Sequence, residues 1–303
     1  MLQSGLPAVM GILVWWISTG LVLYLVWRPA ASRRLSMVVM TAVLPFAFYA
    51  LDVSSAVTTP AAAYTGFAAA LVLWAWHEMS FLLGIVTGPR TVACVKSANA
   101  RAALGAATET VIYHEFAIAV TAALAVILTW DEPNQCGTWT FLILWLMRLS
   151  TKINIYLGVP NVTEDFLPKH LGYLKSYFCN RSMNALFPLS VTAATLATAW
   201  LASAALSAGA SDFETVSYGL LATFAALGVV EHWFLVLPLP AGDLWKWSLS
   251  ANAAAETAEA RQPHDQAGTH RIHKASSDAS TWSKRVPGSR ETIQSKAAEP
   301  LRA

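Results

Sequence analysis

The chain has 303 residues, of which 55% are hydrophobic and only 13% charged, and its net charge is +2. A soluble domain usually carries about 25% charged residues, and much of the charge here falls after Ala251, so the first 245 residues do not compose a water-soluble globule. Nucleic acid as a partner is excluded as well, because there is no large positive charge, basic helix face or base-stacking aromatic array.

A membrane crossing needs roughly 20 mostly apolar residues to pass about 30 Å of hydrocarbon. Seven stretches meet that need: 6–27, 36–57, 61–87, 109–130, 137–157, 184–208 and 214–237. The first lacks a positively charged n-region and a small-residue cleavage site, so it reads as a retained span rather than a signal peptide. The third is long enough to tilt or to extend past the bilayer. Between the fifth and sixth, residues 165–178 (DFLPKHLGYLKSYF) place Phe166, Leu167, Leu171, Leu174, Tyr177 and Phe178 on one stripe, flanked by Lys169 and Lys175. That pattern predicts an interfacial helix on the cytoplasmic leaflet, with Pro168 in its first turn. From 248 to 303, Ala, Ser, Thr, Gln and mixed charges replace any apolar period, which predicts a disordered cytoplasmic tail.

Positive charge sets the orientation. Arg28, Arg33 and Arg34 lie in the first loop, Arg90, Lys96 and Arg101 in the third, and Lys169, Lys175 and Arg181 in the fifth. The alternate loops hold neither Lys nor Arg, so the N-terminus is expected outside and the C-terminus in the cytoplasm. Cys94 and Cys179 then share a compartment that Cys136 does not reach, and no disulfide is expected across the membrane. Trp27, Trp130, Trp139, Trp245 and Trp247 sit near the ends of apolar runs, as interfacial tryptophans do. Trp74, Trp76 and Trp145 read as core filler.

Several polar residues interrupt the spans. The third contains His77 and Glu78, the fourth His114 and Glu115, and the seventh Glu231 and His232. Arg148 and Lys152, four residues apart on one face of the fifth, are their charge partners. At 1.5 Å of rise per residue, all eight fall about 8–15 Å from the cytoplasmic ends of their helices. An intramembrane charge costs on the order of 2.5–3.5 kcal/mol and tends to face the bundle interior. Imidazole with carboxylate is a transition-metal donor set. A neutral histidine also ligates a magnesium tetrapyrrole, and such a cluster can relay protons. The plain alternative is a network of salt bridges. The absence of HExxH spacing weighs against a metal. Asp52, near the outer surface, reads as hydrated, and the missing lysine in the seventh span excludes a rhodopsin-like Schiff base there.

The segments GTWTFLILWLMRLSTKINIYLGVPN (137–161), DFLPKHLGYLKSYF (165–178) and EHWFLVLPLP (231–240) resemble the PuhE-like family of photosynthetic complex assembly proteins. WAWHEMSFLLG (74–84) and TVIYHEFAIA (110–119) fit the same pattern, and the resemblance runs to about Trp247. It implies a multi-pass protein of the inner membrane of a phototrophic bacterium, with its gene near that of the reaction-centre H subunit. It also implies a role in assembling reaction-centre or light-harvesting complexes, or in supplying bacteriochlorophyll. The expected partners are the lipid bilayer, photosynthetic subunits and bacteriochlorophyll or a precursor. In that role His77, His114 or His232 would be the axial ligand candidate. A metal-dependent membrane enzyme and a proton-coupled transporter are the rival readings. The transporter lacks the repeat symmetry and paired broken helices such proteins show.

Overall fold

The computed structural model describes residues 2–94, 100–162 and 167–248. Among them the chain is all-helical, with an isolated bridge between Val159 and Asn180 in place of any strand. Eight α-helices follow in order: α1 Leu2–Val26, α2 Ala30–Ser55, α3 Pro60–Leu82, α4 Ala100–Thr108, α5 Ile112–Leu128, α6 Cys136–Leu157, α7 Leu186–Ala205 and α8 Asp212–Phe234. By length and apolarity, four could cross a membrane: α1, α2, α7 and α8. The count rises to five if α4 and α5, bent by 61° at their junction, form one span. Helices α3 and α6, of 23 and 22 residues, have the length but not the apolarity.

Local signals explain where the helices begin and end. Thr59 caps α3, its hydroxyl accepting from the Ala62 amide at 3.2 Å, and Pro60 follows at the first helical position. Ser211 and Glu214 form a reciprocal capping box at the start of α8. Helix α3 stops at Leu82 and does not continue to 87. Gly84 adopts φ 73°, and the Gly84 and Ile85 amides turn back onto the Phe81 and Ser80 carbonyls at 2.8 and 2.9 Å. This glycine-capped end leaves residues 85–90 to fill the break between α4 and α5. There the His114 amide donates to the Thr87 carbonyl at 2.9 Å and the Arg90 amide to the Glu109 carbonyl at 3.3 Å.

The segment expected at 165–178 also differs. Residues 163–166 lie outside the described part, and Lys169–Tyr177 forms a 3₁₀ helix. Its period of three brings Leu171, Leu174 and Tyr177 to one side, where the two leucines pack on Phe81 and Val111. Leu171, Leu174 and Tyr177 of the expected stripe are therefore buried against protein, while Leu167 and Phe178 are half-buried.

Helices α3, α6 and α8 form the middle of the bundle, with α1, α2, α5 and α7 around them. Near their N-terminal ends α3 and α6 touch backbone to backbone. A Cβ on Gly137 would sit 2.6 Å from the Gly66 carbonyl oxygen, so only small residues permit this approach. One core layer gathers Leu51, Leu73, Ile118 and Phe141, and a second gathers Phe67, Leu220 and Phe224. The compact unit runs from Met1 to Ala254. Within it, Trp245 to Ser248 fold back onto α1. Residues 249–303, where the disordered tail was expected, lie outside the described part.

Candidate functional site

The eight polar residues come close together but do not converge on one point. Consecutive residues on a helix project about 100° apart, and each His–Glu pair is split between two neighbours. On the α5 side, Lys152 donates to Glu115 at 2.6 Å and Trp145 donates to the other Glu115 oxygen at 3.1 Å. Both charged side chains of this pair are largely covered, at 16% and 14% exposure. On the α1 side, Arg148 donates to Glu78 at 3.1 Å, and Trp15 donates to Glu231 at 3.3 Å. Arg148 also lies in the field of Glu231 and Glu115.

The histidines divide in the same way. His232 is fully buried, with Nδ1 2.8 Å from the Gly228 carbonyl and Nε2 2.8 Å from the Ser150 hydroxyl. A carbonyl only accepts, so Nδ1 carries the proton and Nε2 accepts from Ser150. Nothing is left over for ligation. His77 places Nε2 2.9 Å from Thr121, while its Nδ1 is buried without a partner. His114 is fully buried between the Phe81 ring, centroids 4.7 Å apart, and His77 at 6.3 Å, and neither of its nitrogens has a partner. Among the described residues, no group of three or more His, Cys, Asp or Glu side chains comes together as a metal site.

The α1 side encloses a cavity of about 280 Å³ between α1, α3, α6 and α8. Its wall is mostly apolar, with Trp15, Leu71, Trp74, Leu227, Phe234 and Trp245 among its residues. Glu78, Arg148 and Glu231 also line it. The Arg148 side chain is 42% exposed although it is paired. Glu78 is its one hydrogen-bond acceptor among the described residues, so most of the guanidinium's donors remain unused.

One side of the cavity is closed by the C-terminal segment. After α8, a short 3₁₀ helix at Ala241–Trp245 brings Trp245 against Trp15, ring centroids 5.2 Å apart. Trp245 donates to the Trp16 carbonyl at 3.0 Å, and Trp16 donates to the Leu244 carbonyl at 2.8 Å. Ser248 donates to the Gly20 carbonyl at 2.8 Å, and the Trp247 ring lies where a Gly20 side chain would otherwise stand. Trp245 is thus a buried cavity wall and not an interfacial anchor, and Trp74 lines the cavity as well. Trp145 combines its expected core position with a bond to Glu115. Trp15, Thr121 and Ser150, which complete the polar contacts, carried no mark in the sequence. A tryptophan or hydroxyl inside an apolar run does not announce its partner.

A family model described as "Protein of unknown function (DUF3623)" matches residues 1–256. A Rhodobacter capsulatus protein described as "Uncharacterized 30.4 kDa protein in puhA 5'region" is 37% identical over 258 residues, covering 83% of this chain and 93% of that protein. No solved structure matches.

Proposed function

We propose, from the premise that this chain belongs to the DUF3623 family, that it is a membrane-embedded assembly factor of the bacterial photosynthetic apparatus. It would act on reaction-centre or light-harvesting assembly, or on bacteriochlorophyll supply. The carrying observation is the Rhodobacter capsulatus relative, whose description places it beside puhA. The PuhE-like resemblance of segments 137–161, 165–178 and 231–240 points the same way.

In this reading the chain crosses the inner membrane seven times. Helices α3 and α6 complete the count as interior spans, and α4 with α5 counts as one broken span. The N-terminus lies outside, as the loop charges require. The polar residues of α3 and α6 meet partners within the bundle, which is how such groups are tolerated at membrane depth. The seven-span reading is therefore compatible with their low apolarity.

Of the three histidines considered as axial ligands, His114 alone has both ring nitrogens chemically available. Its ring is fully buried, so a macrocycle reaches it only if α3 and α5 separate. The metal-enzyme reading finds no three-donor group to support it among the described residues.

The test is an in-frame deletion in a phototrophic host, complemented by the intact gene and by a His114→Phe variant. The deletion is expected to lower reaction-centre and light-harvesting absorbance per milligram of membrane protein, with recovery on complementation. Unchanged spectra after a shift to phototrophic growth would rule out the assembly role. Full recovery with His114→Phe would rule out pigment ligation by that residue while leaving the assembly role intact.

A further inference from the structure

The cavity between α1, α3, α6 and α8 combines an apolar wall with a small set of charged groups that are only partly used. We infer that it binds an amphiphile with an apolar chain and an uncharged head that both accepts and donates hydrogen bonds, such as an amide or a hydroxy-carbonyl group. This inference rests on the cavity alone and holds whatever the cellular role of the chain.

Size sets the first limit. At about 280 Å³ the space lies at the lower edge of small-molecule pockets. It suits a single chain with a compact head. The wall suits such a chain: Leu71, Trp74, Leu227, Phe234 and Trp245 bury hydrocarbon and offer it no polar partner.

The charged groups select the head. Glu78, Arg148 and Glu231 are two carboxylates and one guanidinium, which leaves one net negative charge on the wall. An anionic head beside Arg148 would also face two carboxylates. A cationic head beside Glu231 would stand in the field of Arg148, which already reaches Glu231. A neutral head escapes both conflicts. Its oxygen can accept from N–H groups of Arg148, whose one hydrogen bond among the described residues goes to Glu78. Its N–H or O–H can donate to Glu231, which holds Trp15 with one oxygen and lines the cavity. Glu78 already accepts from Arg148 with one oxygen, and its other oxygen is buried away from the cavity surface, so the donor of the head is directed to Glu231.

The neighbouring polar site shows why the inference is confined to this side. Glu115 receives both Lys152 and Trp145, one on each oxygen, and does not line the cavity. His232 is likewise complete.

The test uses the full chain in lipid nanodiscs and three probes that share a ten-carbon chain: decanamide, decanoate and decylammonium. Binding is read as the saturable rise in the thermal unfolding midpoint with probe concentration. Decanamide is expected to bind about tenfold or more tightly than either charged probe, and Ala75→Trp, which fills the cavity from α3, is expected to abolish the effect. If Ala75→Trp does not fold, Leu227→Trp fills the same space from α8. Glu231→Gln removes the net negative charge and is expected to shift the order of the charged probes toward decanoate. Equal responses to all three probes, or a response unchanged by the filled cavity, would mean simple partition into the bilayer and would overturn the site. A preference for decanoate or decylammonium would overturn the uncharged head.

Discussion

Two carboxylate–cation pairs lie side by side in this bundle and do different work. Glu115–Lys152 is closed: both side chains are mostly covered, and the second carboxylate oxygen is held by Trp145. Glu78–Arg148 is open on its cation side: the Arg148 side chain lines a cavity, is 42% exposed, and keeps donors unused among the described residues. The chemistry is nearly the same, and what separates the two is how completely the hydrogen-bonding capacity is spent. A closed pair can only hold helices together. An open pair also has capacity left for something else. Intramembrane charge alone therefore does not mark a binding site.

Removing one partner of the closed pair is expected to cost most. Lys152→Met leaves Glu115 buried with Trp145 alone, and the loss is about 3–5 kcal/mol, read by denaturant unfolding in detergent. Replacing both members, with Glu115→Leu and Lys152→Leu, is expected to recover most of that loss, since a buried pair and a packed apolar pair often come out level. A double variant as unstable as the single would show that Glu115–Lys152 is not a simple strut. The next effect in size is Gly137→Ala, where the new methyl meets the Gly66 carbonyl and forces α3 from α6, for about 1–3 kcal/mol. Arg148→Met is expected to cost less, roughly 1 kcal/mol, because the Arg148 side chain is 42% exposed to the cavity and its attraction to Glu78 is screened there. Equal losses from Arg148→Met and Lys152→Met would erase the distinction between the pairs. The smallest effect belongs to Trp15→Phe, which keeps the ring packing on Trp245 and loses one bond to Glu231, about 1 kcal/mol or less in the same assay.

The sequence made the helices legible and their partners much less so. Long runs with few charges lie over each of the long helices, although α3 and α6 fall short of the apolarity of a crossing helix. The polar pairs on α3, α5 and α8 were visible as breaks in apolar runs, and so was their charge complement on α6. Which carboxylate meets which cation was not visible. That depends on helix rotation, which is fixed by contacts such as Trp15–Glu231 across 216 residues. The end of α3 at Leu82 could have been read from Gly84, whose lack of a Cβ permits the left-handed turn. Residues 165–178 differ in helix type, with a 3₁₀ helix at Lys169–Tyr177. A stripe of leucines and aromatics at spacings of three and four fits a lipid-facing helix and a protein-facing 3₁₀ turn equally well, and the covering residues Phe81 and Val111 lie far away in the chain.

The contact between Trp245 and α1 has a consequence in time. Its hydrogen bond to Trp16 joins positions 229 apart, so the cavity gains this wall only when synthesis has passed residue 245. At bacterial translation rates that delay is on the order of ten to fifty seconds. Until then the Trp16 and Gly20 face of the first helix stands bare in the nascent chain, and anything that reads the finished cavity is also reading that synthesis has passed residue 245.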